Sequence, residues 1–306
     1  MSIADEQRVS ASGATTAQSA SQPDAYSPQV IRKLNALTSD FYAREAASFS
    51  ATRQAPWHGW EKAWELITAP DAAQGPFPSH AAVRDSLSSR AARIPDDYAS
   101  NSKDSLAVLD LGCGNLRFER FLAERTNAPL RVTALDNCPD LASPEIGALS
   151  AAFPHSLRSS SAASKTKEED ASGQGANPPE KTIVDLRALD IVESLLDGTF
   201  ADRLPRNSHD LAVAFGLMHH LPTFALRARV LEGILGSLRP GGFAVVSFWQ
   251  FLNDPRLAAK AATVTAEGRA AHCLPTFQEN DFLLGWQHAE GTYRFCHHTP
   301  EDEIDA

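Results

Sequence analysis

The chain has 306 residues, of which 43% are hydrophobic, and a formal net charge of −10. This length is enough to bury a full core in one large domain, and it also permits two smaller domains. The negative charge opposes unspecific binding to nucleic acid through a general positive field, although it leaves room for a local basic patch. The longest apolar run, Leu211 to Met218, is far shorter than the roughly 20 residues that span a bilayer.

The start of the chain has neither the basic beginning nor the apolar stretch of a secretory signal. Residues 1–26 are dominated by Ala, Ser, Thr and Gln without apolar periodicity, so burial cannot offset the entropy of ordering them. We therefore predict a disordered tail over 1–26, and a cytoplasmic protein with no membrane partner.

The residues after the tail predict helices. Ser27 and Pro28 are typical of a helix start, the first as a cap and the second in the first turn. The apolar side chains that follow lie roughly on one helical face: Val30, Leu34, Leu37, Phe41 and Phe49. A second helix is predicted over 58–68, with an apolar stripe packed on the domain. That stripe consists of Trp57, Trp60, Trp64 and Ile67. Residues 70–104 are predicted to be a connector, and 27–104 together a lid.

From residue 105 onward, short apolar strands alternate with helices. The predicted strands are 106–111, 130–136, 183–188, 210–215 and 242–249, and the predicted helices are 115–124 and 224–238. Such alternation is typical of parallel strands joined by crossover helices. We therefore predict an α/β fold over 105–306, Rossmann-like and doubly wound, with a mainly parallel sheet and an N-terminal helical extension. Residues 156–181 are polar and of low complexity, which predicts a disordered insertion.

Several acids and glycines fall at the ends of the predicted strands. The segment VLDLGCG at 108–114 runs from a strand into a glycine turn before a helix, where α/β sheets bind ligands. Asp136 ends the second strand, where a carboxylate can accept both hydroxyls of an adenosine ribose. Asp190 follows the third strand, where an acid can meet an adenine amino group. The segment LRPGGFAVVSFW at 238–249 leads into the fifth strand.

This ordered set resembles the class I S-adenosylmethionine-dependent methyltransferases. The resemblance implies S-adenosyl-L-methionine as the cofactor, with Asp110 ordering the turn or the methionine amino group. The cofactor-binding residues that it implies are Asp110, Gly112, Cys113, Gly114, Asn115, Asp136, Asn137, Asp190, Ile191 and Phe215. Many such enzymes have a third glycine where this chain has Leu116, so we expect an altered affinity. A nicotinamide cofactor is less favoured, because GCGNLR ends in Arg117 instead of the glycine that binds pyrophosphate.

Three further segments bear on the substrate: FSATRQAPW at 49–57, LMHHLPT at 217–223 and DFLLGWQHAEGTYRFCHH at 281–298. They resemble segments of the tRNA wobble-uridine carboxymethyl methyltransferases and their bacterial look-alikes. This resemblance implies O-methylation of a carboxylate on a modified uridine of tRNA. It also implies a small activating subunit as a partner.

The catalytic prediction follows from the chemistry of methyl transfer. Transfer from a sulfonium is an in-line displacement, so the protein mainly aligns the reactants and excludes water. A carboxylate nucleophile needs no base, but it needs cations to position it, and Arg53 and Arg294 lie in the matched segments. His219, next to His220, is predicted to orient the substrate or to act as a base for a hydroxyl or amine acceptor. A purely structural role is the alternative for each of these side chains.

Cysteine and histidine spacing indicates no metal. The four cysteines show no C-x-x-C and no pairing pattern: Cys113, Cys138, Cys273 and Cys296. His297 and His298 are neighbours on a predicted strand, so they point to opposite faces and make a poor pair of ligands.

Alternatives remain open for the function and for the end of the chain. The methyl acceptor is either tRNA or a small-molecule acid or amine, and a third hypothesis is a non-catalytic cofactor-binding subunit. The final antiparallel strands of the resembling fold are missing, shortened, or supplied by 281–298 as a hairpin. A shortened sheet would leave an edge for a partner chain to cover, as in a homodimer.

Overall fold

The computed structural model describes residues 26–68, 105–126, 128–142, 157–159, 182–287 and 289–306. Its strands are β1 (Leu106–Leu111), β2 (Leu130–Asp136), β3 (Leu157–Ser159), β4 (Thr182–Ala188), β5 (His209–Ala214), β6 (Leu238–Val246), β7 (Asp281–Trp286) and β8 (Ala289–His297). Its α-helices are α1 (Pro28–Ala51), α2 (His58–Thr68), α3 (Arg117–Arg125), α4 (Ile191–Leu196), α5 (Phe200–Arg203), α6 (Phe224–Ser237), α7 (Pro255–Ala271) and α8 (Glu301–Ile304). Short 3-10 turns cover Pro139–Leu141, Met218–His220 and Phe251–Asn253. None of the described helices is long and apolar enough to cross a membrane.

The main sheet has six strands in the order β3-β4-β2-β1-β5-β6, and each neighbouring pair is parallel. From β1 the chain first builds outward through β2, and it later returns to the other side of β1 with β5. This reversal places a crevice at the carboxyl ends of β1 and β5. The doubly wound, Rossmann-like α/β prediction is confirmed.

Alternate side chains of the central strands pack into two separate hydrophobic cores, one on each face of the sheet. In β5, Leu211 and Val213 join the core that contains Trp60 of α2 and Phe118 of α3. Ala212 and Ala214 of the same strand join the opposite core, under α4 and α6. This period of two explains why these strands are apolar throughout, since both of their faces are covered.

The N-terminal helix begins as the sequence predicts. The Ser27 hydroxyl accepts a hydrogen bond from the Val30 N–H, and Pro28 occupies the first turn. α1 packs against β8 through a small core that includes Leu34 and Phe295. The Thr38 hydroxyl also accepts a hydrogen bond from the Phe295 N–H at 3.1 Å.

The Trp stripe of α2 is confirmed in part. Trp60 is buried, and Trp64 and Ile67 pack partly buried beside it. Trp57 is 37% exposed, because it precedes the helix at the rim of the crevice.

Several boundaries differ from the predictions. Tyr26, assigned to the disordered tail, is buried and donates a hydrogen bond to Asp281 at 2.7 Å. Three residues of the predicted insertion, 157–159, form β3 and pair with β4. The rest of 156–181, the tail up to residue 25 and the connector 69–104 lie outside the described residues.

The last part of the chain forms structure that the strand-helix pattern did not fully predict. β7 and β8 form an antiparallel hairpin, the third of the alternatives left open above, but they make a separate sheet. The helix α7, which was not predicted, packs on β7. The strand predicted over 242–249 instead begins at Leu238 and ends at Val246.

A buried network of hydrogen bonds and ion pairs links both ends of the described chain to the core. Nδ1 of His297 lies 2.6 Å from Asp281 Oδ1, and its Nε2 lies 2.9 Å from Glu303 Oε2. Arg227 of α6 pairs with Glu303 of α8, and Tyr26 bonds to Asp281. Burial alone lowers the pKa of His297, but the hydrogen bonds to the two acids outweigh it and raise the pKa above its usual value.

This network predicts a pH-dependent stability. Because the pKa of His297 is raised by folding, its contribution is fully present below the unfolded pKa of about 6.5, and it is lost as the pH rises through the folded value. We expect His297→Gln to lower the free energy of unfolding by about 1–3 kcal/mol at pH 6 and by less at pH 9. Urea unfolding at both pH values measures this. The control is His58→Gln at an exposed site, and an equal loss at both pH values would contradict the account.

Candidate functional site

A cavity of about 1100 Å³, including its open mouth, lies at the carboxyl ends of the central strands. α1 and the segment around Trp57 close it from the side opposite the sheet.

The glycine turn after β1 forms the floor of the cavity. Gly112 and Gly114 have positive φ angles of 73° and 56°, which glycine adopts at little cost. A Cβ atom on Gly112 would also lie 3.3 Å from Cβ of Leu217. Leu116, at the place of the third glycine, takes the same left-handed conformation with φ 56° and is fully buried. Its backbone strain costs about 1–2 kcal/mol, which its buried side chain offsets.

Asp136 links the glycine turn to the segment that follows β2. Its Oδ2 accepts a hydrogen bond from the Gly114 N–H at 2.9 Å, and its Oδ1 accepts one from the Cys138 N–H at 2.7 Å. Burial raises the pKa of Asp136, while backbone hydrogen bonds oppose that rise. A carboxylate has about four lone-pair positions, so both oxygens retain capacity for a ligand's hydroxyls.

Asp190 caps α4 and joins it to α1. Its Oδ1 accepts a hydrogen bond from the Glu193 N–H at 2.9 Å. The side-chain amide of Asn35 donates to both of its oxygens, at 3.1 and 2.9 Å, and Asn137 donates to Oδ2 at 3.3 Å. Asn137 also donates to Ser39 of α1 at 2.9 Å. These contacts hold the lid against the strand ends.

The backbone carbonyls of the segment after α1 accept hydrogen bonds from side chains at and after the glycine turn. Three successive carbonyls, of residues 53, 54 and 55, each accept a hydrogen bond from a side chain at or after that turn. The donors are Asn115, at 3.1 Å from Arg53 O; Arg120, at 2.7 Å from Gln54 O; and Arg117, at 2.9 Å from Ala55 O. The floor of the cavity and the position of Arg53 are therefore coupled.

Arg53 lines the cavity and lies among aromatic rings. Its guanidinium carbon is 3.5 Å from the centroid of Phe49 and 4.7 Å from that of Trp286. Burial and the neighbouring Arg294 lower the pKa of Arg53 to about 10, so it is charged at neutral pH. Among the residues that the structure describes, no acid forms an ion pair with it.

Arg294 lies behind Arg53 and its aromatic neighbours, and it is 5% exposed. Its guanidinium carbon is 4.6 Å from the Phe41 centroid and 5.8 Å from that of Phe49. Its Nε and Nη1 have no hydrogen-bond partner in the described part of the chain. Arg294 does not line the cavity itself, so it acts on the cavity through its charge.

The two neighbouring histidines occupy different places. His220 lines the cavity, whereas His219 does not and packs with its ring centroid 4.9 Å from that of Trp249. Nδ1 of His220 donates to Phe295 O at 2.7 Å, so its Nε2 accepts the hydrogen bond from the Tyr42 hydroxyl at 2.9 Å. Burial and Arg294 lower the pKa of His220 to about 3. Burial and His220 hold the pKa of His219 well below its usual value.

His219, His220 and Cys296 each offer one possible metal-ligand atom within 4.8 Å of the others. Both ring nitrogens of His220 are already in hydrogen bonds, and the Cys296 thiol contacts Arg294. A cation bound there would displace those hydrogen bonds and would be repelled by the positive charge of Arg294. His297 and His298 are also separately engaged, with Asp281 and with the Leu252 N–H. We assign no metal to either group.

No protein-family model matches the sequence, and the search of curated proteins gave no match. Among solved structures, a SAM-dependent methyltransferase from Methanosarcina mazei is 17% identical over 68% of this chain and 78% of its own, with a TM-score of 0.41. A DhpI-SAM-HEP complex is 16% identical over 79% and 84%, with a TM-score of 0.34. The complex of the Trm112 methyltransferase activator with a putative methyltransferase from Haloferax volcanii is 15% identical over 78% and 77%, with a TM-score of 0.33. These similarities are remote.

All the residues predicted to bind the cofactor line this one cavity. Of the predicted catalytic residues, Arg53 lines it, while His219 and Arg294 lie behind the lining. Sequence reasoning did not assign Asn35, Ser39 and Tyr42 of α1, which line the cavity at helical spacing. Polar side chains at this spacing, on the helix face that also carries Thr38, could have indicated from the sequence alone that α1 lines the site.

Proposed function

We propose that this protein is an S-adenosylmethionine-dependent methyltransferase that methylates a carboxylate. The observation that carries the proposal is the division of charge in the cavity. Asp110, Asp136 and Asp190 lie at or near the strand ends, whereas Arg53 lies in the segment that follows α1, with Arg294 next to it. A cationic cofactor suits the acidic side, and an anionic acceptor suits the basic side.

The residues around the glycine turn fit this cofactor. The positive φ of Gly112 and Gly114 lets a ligand approach the backbone, and Asp136 retains acceptor capacity for ribose hydroxyls. When bound, the cofactor supplies a methyl group on a sulfonium: the C–S bond breaks as the new C–O bond forms, and the sulfur leaves as a neutral thioether. Asp190 and Ile191, which line the same cavity, would frame the adenine.

The state of the histidines favours an acceptor that needs no base. The depressed pKa of His220, about 3, makes it a weak base, and its acceptor nitrogen is already bonded to Tyr42. A carboxylate is ionised at neutral pH and attacks without losing a proton. Arg53 would bind one of its oxygens and align the other with the methyl group.

The acceptor that we propose is the carboxylate of a modified uridine in tRNA, as the resemblance of segments 49–57, 217–223 and 281–298 implies. A small-molecule acid is the second candidate. It is favoured by the net charge of −10 and by the burial of Arg294 under the lid. Arg44 is an exposed arginine of α1, and a basic rim for RNA would extend from it.

The proposal includes a cytoplasmic setting and either a small activating subunit or a second copy of the chain. Such a partner would cover an edge of the main sheet, whose outer described strands are β3 and β6. Light scattering of the protein alone and with candidate subunits measures the mass of the assembly.

The test is transfer of labelled methyl groups. The purified protein is incubated with methyl-labelled S-adenosylmethionine and a cell extract, and label is followed in RNA and in small molecules. Label that RNase converts into soluble form supports the tRNA acceptor, and label in small acids supports the second candidate. Cofactor binding with no transfer under any condition would contradict an enzymatic function and favour a non-catalytic subunit.

A further inference from the structure

Asp110 and Glu119 form a buried pair of carboxyl groups beneath the glycine turn. Asp110 belongs to β1 and lines the cavity, and Glu119 lies in the first turn of α3. Each residue is 1% exposed, and the two carboxyl groups lie close enough to interact electrostatically. Two ionised carboxylates in such a place repel each other strongly, so the contact requires a shared proton.

Nothing positive balances this pair within the described ranges. Oδ1 of Asp110 and both oxygens of Glu119 have no hydrogen-bond partner among the described residues. The titratable groups that face the pair are Asp136 at the end of β2 and Cys113 in the turn, and neither can carry a positive charge. The backbone N–H of Glu119, at the start of α3, gives partial compensation.

We infer that Glu119 is a positioning residue that keeps Asp110 protonated in the free protein, and that a cationic group bound at Asp110 displaces the shared proton. This inference rests on the proposed function, in which the cofactor's amino group is that cation. It makes binding of the cofactor's amino-acid part a proton-releasing step. Uptake of the cofactor is then linked to pH through a residue that does not line the cavity.

The direction of the linkage follows from the two carboxyls. Burial raises the pKa of Glu119 to about 7, and burial together with Glu119 holds the pKa of Asp110 well above its usual range. At low pH the ligand must displace a firmly held proton, and at higher pH that cost disappears. Affinity therefore rises with pH, by about tenfold per pH unit at most where one whole proton is released.

The experiment is calorimetric titration with S-adenosylhomocysteine at pH 6, 7 and 8, in buffers of different ionisation enthalpy so that released protons are counted. For the wild type we expect affinity to rise over this range with release of up to one proton. Glu119→Gln keeps the shape and donates a hydrogen bond to Asp110, so it should bind with a smaller pH dependence and release fewer protons than the wild type. Glu124→Gln, at a 60% exposed side chain on the same helix, should behave as the wild type.

A second ligand tests the inference without any variant. Methylthioadenosine lacks the amino-acid part, so its binding to the wild type should change little between pH 6 and 8. Equal pH dependence for the two ligands would overturn the inference, as would an unchanged slope in Glu119→Gln. Absence of S-adenosylhomocysteine binding at every pH would instead overturn the proposed function, and this inference with it.

Discussion

Replacing Arg53 with Gln should lower kcat/KM for the methyl acceptor by roughly 10- to 100-fold while leaving the affinity for S-adenosylhomocysteine nearly unchanged. The loss corresponds to about 1.5–3 kcal/mol, the range for hydrogen bonds to charged groups. Arg53 lines the cavity with no ion-pairing acid among the described residues, so its charge is available to an anion. Initial-rate kinetics with the identified acceptor, together with calorimetry of the cofactor product, measure the two quantities separately.

Two variants make this result specific. Arg53→Lys keeps the charge but loses the planar array of N–H donors that fixes the orientation of the bound carboxylate, so it should recover only part of the activity. Arg256→Gln removes an exposed arginine of α7 and should leave kcat/KM unchanged. A parallel fall of acceptor kinetics and cofactor affinity in Arg53→Gln would mean that the variant disturbs the glycine turn, against the role assigned here.

Replacing Asp136 with Asn should weaken S-adenosylhomocysteine binding by at least about tenfold. Both Asp136 oxygens already accept backbone hydrogen bonds, from Gly114 at 2.9 Å and from Cys138 at 2.7 Å. An amide has one acceptor oxygen, so its NH₂ group must face one of these N–H donors, and the charge is also lost. The variant would therefore weaken both the order of the turn and the ribose contact that we propose.

Calorimetry measures the affinity of this variant, and a thermal melt without ligand separates binding from folding. The matched control is Asp140→Asn, an exposed acid in the turn that follows Asp136. We expect Asp140→Asn to bind as the wild type does. Wild-type affinity in Asp136→Asn would place the ribose elsewhere and remove the basis of the cofactor assignment.

The sequence was sufficient to predict the positions of the cavity-lining acids. Asp136 ends a strand, and Asp110 and Asp190 lie near strand ends, and parallel strands bring such ends to one edge of a sheet. The apolar runs that mark those strands are long enough to locate within a residue or two. Local pattern therefore determines both the element and the place of its end in the fold.

The lid and the histidine pair show what local pattern does not determine. His219 and His220 are adjacent in a 3-10 turn, and the one that lines the cavity is selected by Phe295 O and Tyr42, which are far away in sequence. Arg53 and Arg294 likewise come together only because α1 packs on β8. The helix α7, by contrast, could have been predicted from local pattern, since Asp254 caps it and Pro255 lies in its first turn.

The most direct test of the account is the stability of the methylated product in alkali. Product labelled from methyl-labelled S-adenosylmethionine is purified and held at high pH, and volatile label is collected. A methyl ester hydrolyses under these conditions, so the account predicts that the label is released as methanol. Label that stays on the acceptor would show methylation of nitrogen, carbon or a hydroxyl, and would contradict the assignment of a carboxylate acceptor to Arg53.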